Sequence, residues 1–579
     1  MKKNIYKVTL LNAFVALFSF APIMAQKYGA VVQDKVDFKY PLNVNMNLSG
    51  NYGELRSNHF HGGVDFRIGG VVGAPIYATE SGYVSQISVS PSGYGNALYI
   101  THANGYVSVY GHMLCFNDSL QAYVRGKQYE NEEFKQLITL APNVFPIAKG
   151  EMIGKAGNTG SSGGPHLHFE IRDTANVPLN IFARGILNIP DRTPPIINSV
   201  VFYGYNKDTG VVRNYYIGKK QGTQPYSSKY QKDGVIKLPS KSYIAIDAID
   251  KQEGTAARLA VNEYKVYLDT ALIYALKIGE VPFEYGRYIN SLMEYNQRSV
   301  GRYMIKSYVE PGNMLKDRII CKDEGLIVLK DDLQHKIKVE VLDYLKNKTV
   351  KSYTVKREES IFANSSTDTL KCNFMAWYLP GIYTTQGLDV HIPQASLYNS
   401  IYFKVDTMET RITKFSPVWK IHKPDVPLHF PMEVSVKCTV PDSLTSKALL
   451  AQVVSGGRLY SAGGWYDSTG VIKAKLSSFG NYTVTVDIAS PRISASIANN
   501  AIVKGKNISF VISDALSGIK NYRIEIDGHW VLAELDGKTS RLTVPLEYAK
   551  IKKGIKHNLV ITVIDNKDNM AVVKRNFVW

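Results

Sequence analysis

The chain has 579 residues, 45% hydrophobic and 20% charged, an ordinary globular composition too long for a single core, and about three to five domains are expected. Its formal net charge of +18 comes from Lys and Arg spread along the whole length. Without one basic tract, no nucleic-acid partner is expected, and attraction to anionic envelope polymers or membrane surfaces is a tendency that identifies no ligand. The 38 tyrosines, with many β-branched residues and Gly and Asn turns, lean the chain toward β structure.

Residues 1–25 read as a secretory signal peptide: Lys2, Lys3 and Lys7, an apolar run over 8–20, then Ala25 before Gln26. Asn12 and Pro22 make this run a poor membrane span, and no later stretch is long and apolar enough, so no transmembrane helix is expected in the mature chain. Cys115, Cys321, Cys372 and Cys438 are scattered, which argues against a cysteine zinc site and leaves their disulfide pairing open.

The first chemistry-bearing stretch is Asn58-His59-Phe60-His61-Gly62-Gly63-Val64-Asp65. His61 and Asp65 are four apart, and the glycines between them suit a tight bend that joins the two side chains. Residues 97–113 then read as a hairpin turning at Asn104-Gly105. A two-residue turn pairs His102 with Val107 on the valine face, while His112 lies with Tyr106, Ser108 and Tyr110 and is free to join a site. A polar insertion over 117–140 starts helix-like and ends strand-like, and is long enough to border a groove.

Glycine-punctuated strands over 147–160 lead into His166-Leu167-His168-Phe169-Glu170-Ile171-Arg172. As a strand, this places His166, His168 and Glu170 on one face and Leu167, Phe169 and Ile171 on the other, with Glu170 left without a role. Histidine and carboxylate without cysteine suit catalytic zinc with three protein ligands and an open position for water. His61, Asp65 and His168 supply such a set, with His112 and His166 left to handle protons.

Three signatures in this order, His61-x-x-x-Asp65, Tyr110-Gly111-His112, and His166-Leu167-His168 preceded by Gly157-Asn158-Thr159-Gly160, resemble the lysostaphin or LytM type of zinc metallopeptidase, metallopeptidase family 23. The resemblance covers residues 45–185. It implies a small antiparallel β domain with a groove, one Zn2+ held by His61, Asp65 and His168, a catalytic pair His112 and His166, and endopeptidase action on the peptide part of bacterial peptidoglycan. The insertion after His112 is longer than in the simplest members. Some members have lost ligands and act as activators of other wall hydrolases, whereas all five positions are filled here.

Asp191-Arg192-Thr193-Pro194-Pro195 reads as a linker. Beyond it, Ile246–Asp250, Tyr264–Asp269 and Asp343 with Asn347 have counterparts in 511–514, 522–527 and Asp565 with Asn569, a faint repeat suggesting two immunoglobulin-like sandwiches. The first carries an insertion over about 270–333. Aspartates of the repeats read as turn caps in preference to calcium ligands, and Trp377, Trp419 and Trp465 as packing in preference to a sugar-binding face.

The expected fold is mainly β: a LytM-type peptidase domain of the duplicated-hybrid-motif kind over 26–190 with an insertion at 115–145, an immunoglobulin-like domain over 191–357, a β-rich domain over 358–488 and an immunoglobulin-like domain over 489–579. The expected function is an exported zinc metalloendopeptidase of the bacterial periplasm or cell envelope, acting on peptidoglycan peptides, with an envelope protein partner met through the C-terminal β domains. The alternatives are a non-catalytic regulator or scaffold that activates another wall hydrolase, and a peptidase on glycine-rich proteins.

Overall fold

A computed structural model describes residues 37–205, 213–217, 231–232, 234–359, 373–409 and 414–579. The expected signal peptide and Cys372 lie outside the described residues; Cys115, Cys321 and Cys438 are free thiols. Among the described residues, no helix is long and apolar enough to cross a membrane.

The chain is β-rich and built from several mostly antiparallel sheets. The first region contains β1 (Leu48–Gly50), β2 (Val64–Arg67), β3 (Pro75–Tyr77), β4 (Gly82–Val89), β5 (Ala97–His102), β6 (Val107–Gly111) and β7 (Met113–Phe116). It continues through α1 (Asp118–Asn131), β8 (Gln136–Thr139), β9 (Pro146–Ile147), β10 (Met152–Ala156) and β11 (His166–Arg172). The main sheet runs β1-β2-β11-β6-β5-β4-β8, with β9 beside β4, and β3-β10-β7 form a second sheet.

Strand β11 lies inside the sheet, between β2 and β6, with its apolar face in the core. Leu167, Phe169 and Ile171 are fully buried, with the Phe169 ring 6.1 Å from Phe66 and 5.4 Å from Tyr110. Each such side chain contributes about 1.5–3 kcal/mol when removed from water. The same alternation sends His166, His168, Glu170 and Arg172 to the opposite face.

The hairpin has a different register from the one its sequence suggests. Thr101 pairs with Val107 and Ile100 with Ser108, so the loop is one residue longer than a two-residue turn, with Gly105 at φ +81°. His102 therefore lies on the Ser108 and Tyr110 face, where its Nε2 is 2.8 Å from Ser108 Oγ. His112 does not share that face through strand alternation. A left-handed backbone, φ 57°, turns the chain at this residue and redirects its ring.

The insertion folds as a helix followed by a strand. Asn117 caps α1, accepting from the Leu120 amide at 3.1 Å, and Leu120, Val124 and Gln128 are its buried residues. After the first region, apolar cores gather over 197–355, which Phe60 of the first region also joins, and within 375–484 and 508–577. Ala271–Lys277, expected inside an insertion, is a sheet strand paired with Glu263–Leu268, and the irregular segment begins only after it. Trp419 belongs to the second of these cores, whereas Trp465 is exposed.

Contacts link these regions in succession. Asn51 bonds reciprocally with Ala260, Tyr398 donates to the Arg287 carbonyl, and Lys447 donates to that of Lys567. The C-terminal region then returns to α1: the Trp530 ring lies edge-on 5.1 Å from Tyr129, Tyr129 donates to the Tyr548 carbonyl, and Arg523 pairs with Glu132 at 2.6 Å.

Candidate metal centre

The ladder places Asp65 and Gly111 directly opposite His168 on its two neighbouring strands. Gly111 leaves room for the imidazole, since a Cβ there would lie 3.3 Å from His168 Cβ. Gly63 has the stronger requirement: a Cβ would strike the Phe169 carbonyl and come within 2.7 Å of Glu170 Cγ. These close approaches let the loop before β2 fold His61 back over the strand.

Three buried groups meet there. His61 Nε2 lies 3.0 Å from His168 Nδ1 and 3.1 Å from Asp65 Oδ1, and His168 Nδ1 lies 3.0 Å from the same oxygen. The opposite nitrogen of each imidazole is already committed. His61 Nδ1 sits 2.8 Å from the Asn51 carbonyl, and His168 Nε2 sits 2.7 Å from Glu170 Oε1. Protons on those outer nitrogens leave two lone pairs and a carboxylate oxygen converging on one point, a donor set that calls for a cation. Nitrogen and oxygen donors without sulfur suit zinc, so the residues present fit that ion.

Electrostatics agree with this fit. Burial opposes a charge on His168, but Asp65 and Glu170 outweigh it and lift its pKa to about 9, so without an ion a proton takes the Nδ1 lone pair, the place that a cation would fill. Burial likewise opposes ionisation of Asp65, but His61, His166 and His168 hold its carboxyl well below the usual range. Glu170, fully buried, is held down by His168, Arg172 and Tyr94 against the same desolvation. Asp65 offers only Oδ1 to the cluster, since Arg56 takes Oδ2 at 3.2 Å and also holds Glu54 at 2.8 Å.

His112 and His166 stand beside this cluster, their rings 4.8 Å apart. His112 Nδ1 is 2.8 Å from the Thr159 carbonyl, and His166 Nδ1 is 2.8 Å from that of Gly164. His166 Nε2 lies 3.4 Å from Asp65 Oδ1. Burial, reinforced by His168 and His166, pushes the pKa of His112 down to about 3, so it is neutral at neutral pH. A cleft of ≈ 690 Å³, lined in part by Arg56, Asp65, Arg67, Gly163, Pro165 and His166, opens onto the cluster.

All five candidate residues thus come together. Sequence reasoning left Glu170 without a role, although its place on the His168 face was the available signal; Arg172, which grips Glu170 Oε2 at 2.7 Å, shares that signal. Tyr94, donating to Glu170 Oε1 at 2.6 Å, arrives from far along the chain, and Asn51 and Arg56 arrive through the loop before β2, none with a motif to mark it.

Residues 59–128 match the family model described as Peptidase family M23, and residues 372–487 match the one described as a Zu5-like domain. A DD-carboxypeptidase/endopeptidase Mpg from Neisseria meningitidis serogroup B is 32% identical over 149 residues, which are 25% of this chain and 28% of the relative. The chain therefore spans little more than a quarter of that relative's length. Lipoprotein NlpD of Yersinia enterocolitica is 37% identical over 105 residues, 18% of this chain and 84% of that protein. Among solved structures, a zinc containing peptidase from Vibrio cholerae aligns at 27% identity and a TM-score of 0.18, covering 25% of this chain and 39% of the other.

Proposed function

Because the chain belongs to peptidase family M23, we propose that it is an exported zinc metalloendopeptidase that hydrolyses peptide bonds of bacterial peptidoglycan in the periplasm or cell envelope. The observation that carries this reading is the convergence of His61 Nε2, His168 Nδ1 and Asp65 Oδ1 with their outer atoms already bonded. The Neisseria relative, described as a carboxypeptidase and endopeptidase, supports the peptide-cleaving part.

His61, Asp65 and His168 would hold the ion, which when bound supplies Lewis acidity and brings the pKa of water down to about 7. The other steps belong to side chains. His112, neutral and donating from Nδ1 to Thr159, presents Nε2 as the acceptor for a proton. His166, held through Nδ1 by the Gly164 carbonyl, turns Nε2 toward Asp65, where it takes up a proton and passes it to the nitrogen that leaves. Arg67 gives the cleft a positive charge for the carboxylates of a peptidoglycan stem peptide. In this reading a peptidase domain reaches to about residue 190 and is followed by β domains over 191–357, 358–488 and 489–579, which position it in the envelope.

Muropeptide release from purified sacculi tests this reading. His61→Ala and His168→Ala are expected to lose both zinc and cleavage, and His166→Ala to keep zinc and lose turnover. Release by all three variants would overturn it, as would a zinc-loaded wild type that cleaves nothing and only stimulates another hydrolase.

A further inference from the structure

Two groups of three aspartates, remote from the metal centre, have the same construction. Asp191, Asp250 and Asp343 each place a carboxylate oxygen within 4.8 Å of the others, as do Asp487, Asp514 and Asp565. Asp191 and Asp487 each precede the first strand of a β region by five residues, before Ile196–Gly204 and Arg492–Ala495. Asp250 directly follows the strand Lys241–Ile249, and Asp514 directly follows Asn507–Ser513.

The wiring is repeated bond for bond. Asn347 donates its amide and side chain to the two oxygens of Asp343 at 2.9 and 2.7 Å, and Asn569 does so to Asp565 at 2.9 and 2.8 Å. The same asparagine side chains also reach the Asp191 and Asp487 carbonyls, at 3.1 and 2.9 Å. Glu253, three residues after Asp250, donates its amide to Asp191, and Ser517, three after Asp514, donates its amide to Asp487.

These bonds alone describe turn caps, as the sequence suggests. One atom in each group does not fit that description. Asp250 Oδ1 is buried without a hydrogen-bond partner in a residue 1% exposed. Asp514 is half-buried and its Oδ2 accepts from the Leu516 and Gly518 amides, but its Oδ1 is likewise without a partner. No ion pair among the described residues involves any of the six aspartates. A buried carboxylate oxygen left without a partner is costly, by about 1–3 kcal/mol. Consistently, burial together with Asp343 and Asp191 pushes the pKa of Asp250 up to about 8.

The geometry points to two calcium sites, each tying an incoming linker to the end of a β region, with Asp250 and Asp514 as the ligands left open for the ion. Oxygen donors alone, with no imidazole or thiolate, select a hard cation, and adjustable carboxylates on turns suit calcium better than magnesium with its strict octahedron. At the first site the ion supplies a positive charge that the facing side chains do not; at the second, Lys567 stands near Asp487 and Asp565 and the ion adds to it.

The test uses the full chain, stripped of metals, reloaded with one equivalent of zinc and titrated calorimetrically with CaCl2 up to about 10 mM, roughly tenfold above the weakest extracellular calcium modules. The wild type is expected to take up two calcium ions and to melt at a higher temperature with calcium than without. Asp250→Asn is expected to take up one, and Asp250→Asn with Asp514→Asn none, with the thermal shift gone. Without calcium the Asp250→Asn chain is expected to melt no lower than the wild type, because the amide removes an unbalanced buried charge. The proposal falls if the wild type shows no saturable uptake, if the double variant keeps both ions, or if MgCl2 at the same concentration gives an equal shift. It also falls if calcium-free Asp250→Asn melts well below the wild type, since Asp250 would then be a structural acceptor.

Discussion

Glu170 decides which nitrogen of His168 faces the cluster. Its Oε1 takes the Nε2 proton at 2.7 Å, and Arg172 and Tyr94 fix the carboxylate in turn. Carboxylates behind a metal-bound imidazole typically govern affinity by about 10–100-fold. Glu170→Gln is therefore expected to weaken zinc binding by about that factor, read by competition with a chromophoric chelator, and unchanged affinity would remove Glu170 from this role. Gly63→Ala is expected to lower zinc occupancy for a different reason, because its methyl runs into the β11 backbone beside His168. Four of the five candidate residues were legible because each sits in a short motif whose chemistry shows in its neighbours: two glycines between His61 and Asp65, and alternating apolar residues around His166 and His168. Arg56 and Tyr94 were not, since nothing local foretells that a guanidinium will reach Asp65 Oδ2 or a phenol Glu170.

At the scale of elements, periodicity located β11, α1 and the hairpin strands, while backbone exceptions set the details. Gly105 at φ +81° lengthened the hairpin loop and moved His102 to the opposite face, and His112 at φ 57° left the strand altogether. Alternation carries no information about such residues, so the sequence placed His112 near the site by an incorrect route. A second histidine shows what folding imposes on one element. His429, at the start of the strand Pro427–Lys437, stacks 4.2 Å from Tyr288, and its Nδ1 is 3.0 Å from Tyr398 Oη. Burial, aided by Arg287, lowers its pKa from 6.5 to about 4. The unfolded chain therefore binds more protons than the folded one between those values. The stability from burying neutral His429 is complete above about pH 6.5 and is lost as pH falls toward 4, by up to about 3 kcal/mol. Melting of His429→Gln and wild type from pH 7.5 to pH 4.5 is expected to show a shallower acid loss in the variant, and parallel curves would contradict this.

At the scale of the whole molecule, residues far apart in sequence reach the first region from both sides. Ala260 is bonded through both its amide and carbonyl to the side chain of Asn51, whose carbonyl positions His61. From the other side, Lys538 donates to the Asn158 carbonyl, next to the Thr159 carbonyl that holds His112. Helix α1, expected to border a groove, is where the C-terminal region docks, through Tyr129 against Trp530 and Arg125 over the Tyr548 ring at 3.3 Å. This closure was invisible in the sequence because each contact pairs residues about 400 positions apart, with no shared pattern between them. An aromatic pair contributes about 0.5–1.5 kcal/mol beyond its buried area, and 1.4 kcal/mol is tenfold in a local opening equilibrium. Trp530→Ala is therefore expected to speed amide exchange in α1 by up to about tenfold while leaving zinc content unchanged. If the C-terminal region steadies the loop behind His112, exchange at Thr159 and Gly160 rises with it and turnover on sacculi falls. Faster exchange confined to α1, with turnover intact, would make the docking a matter of architecture alone.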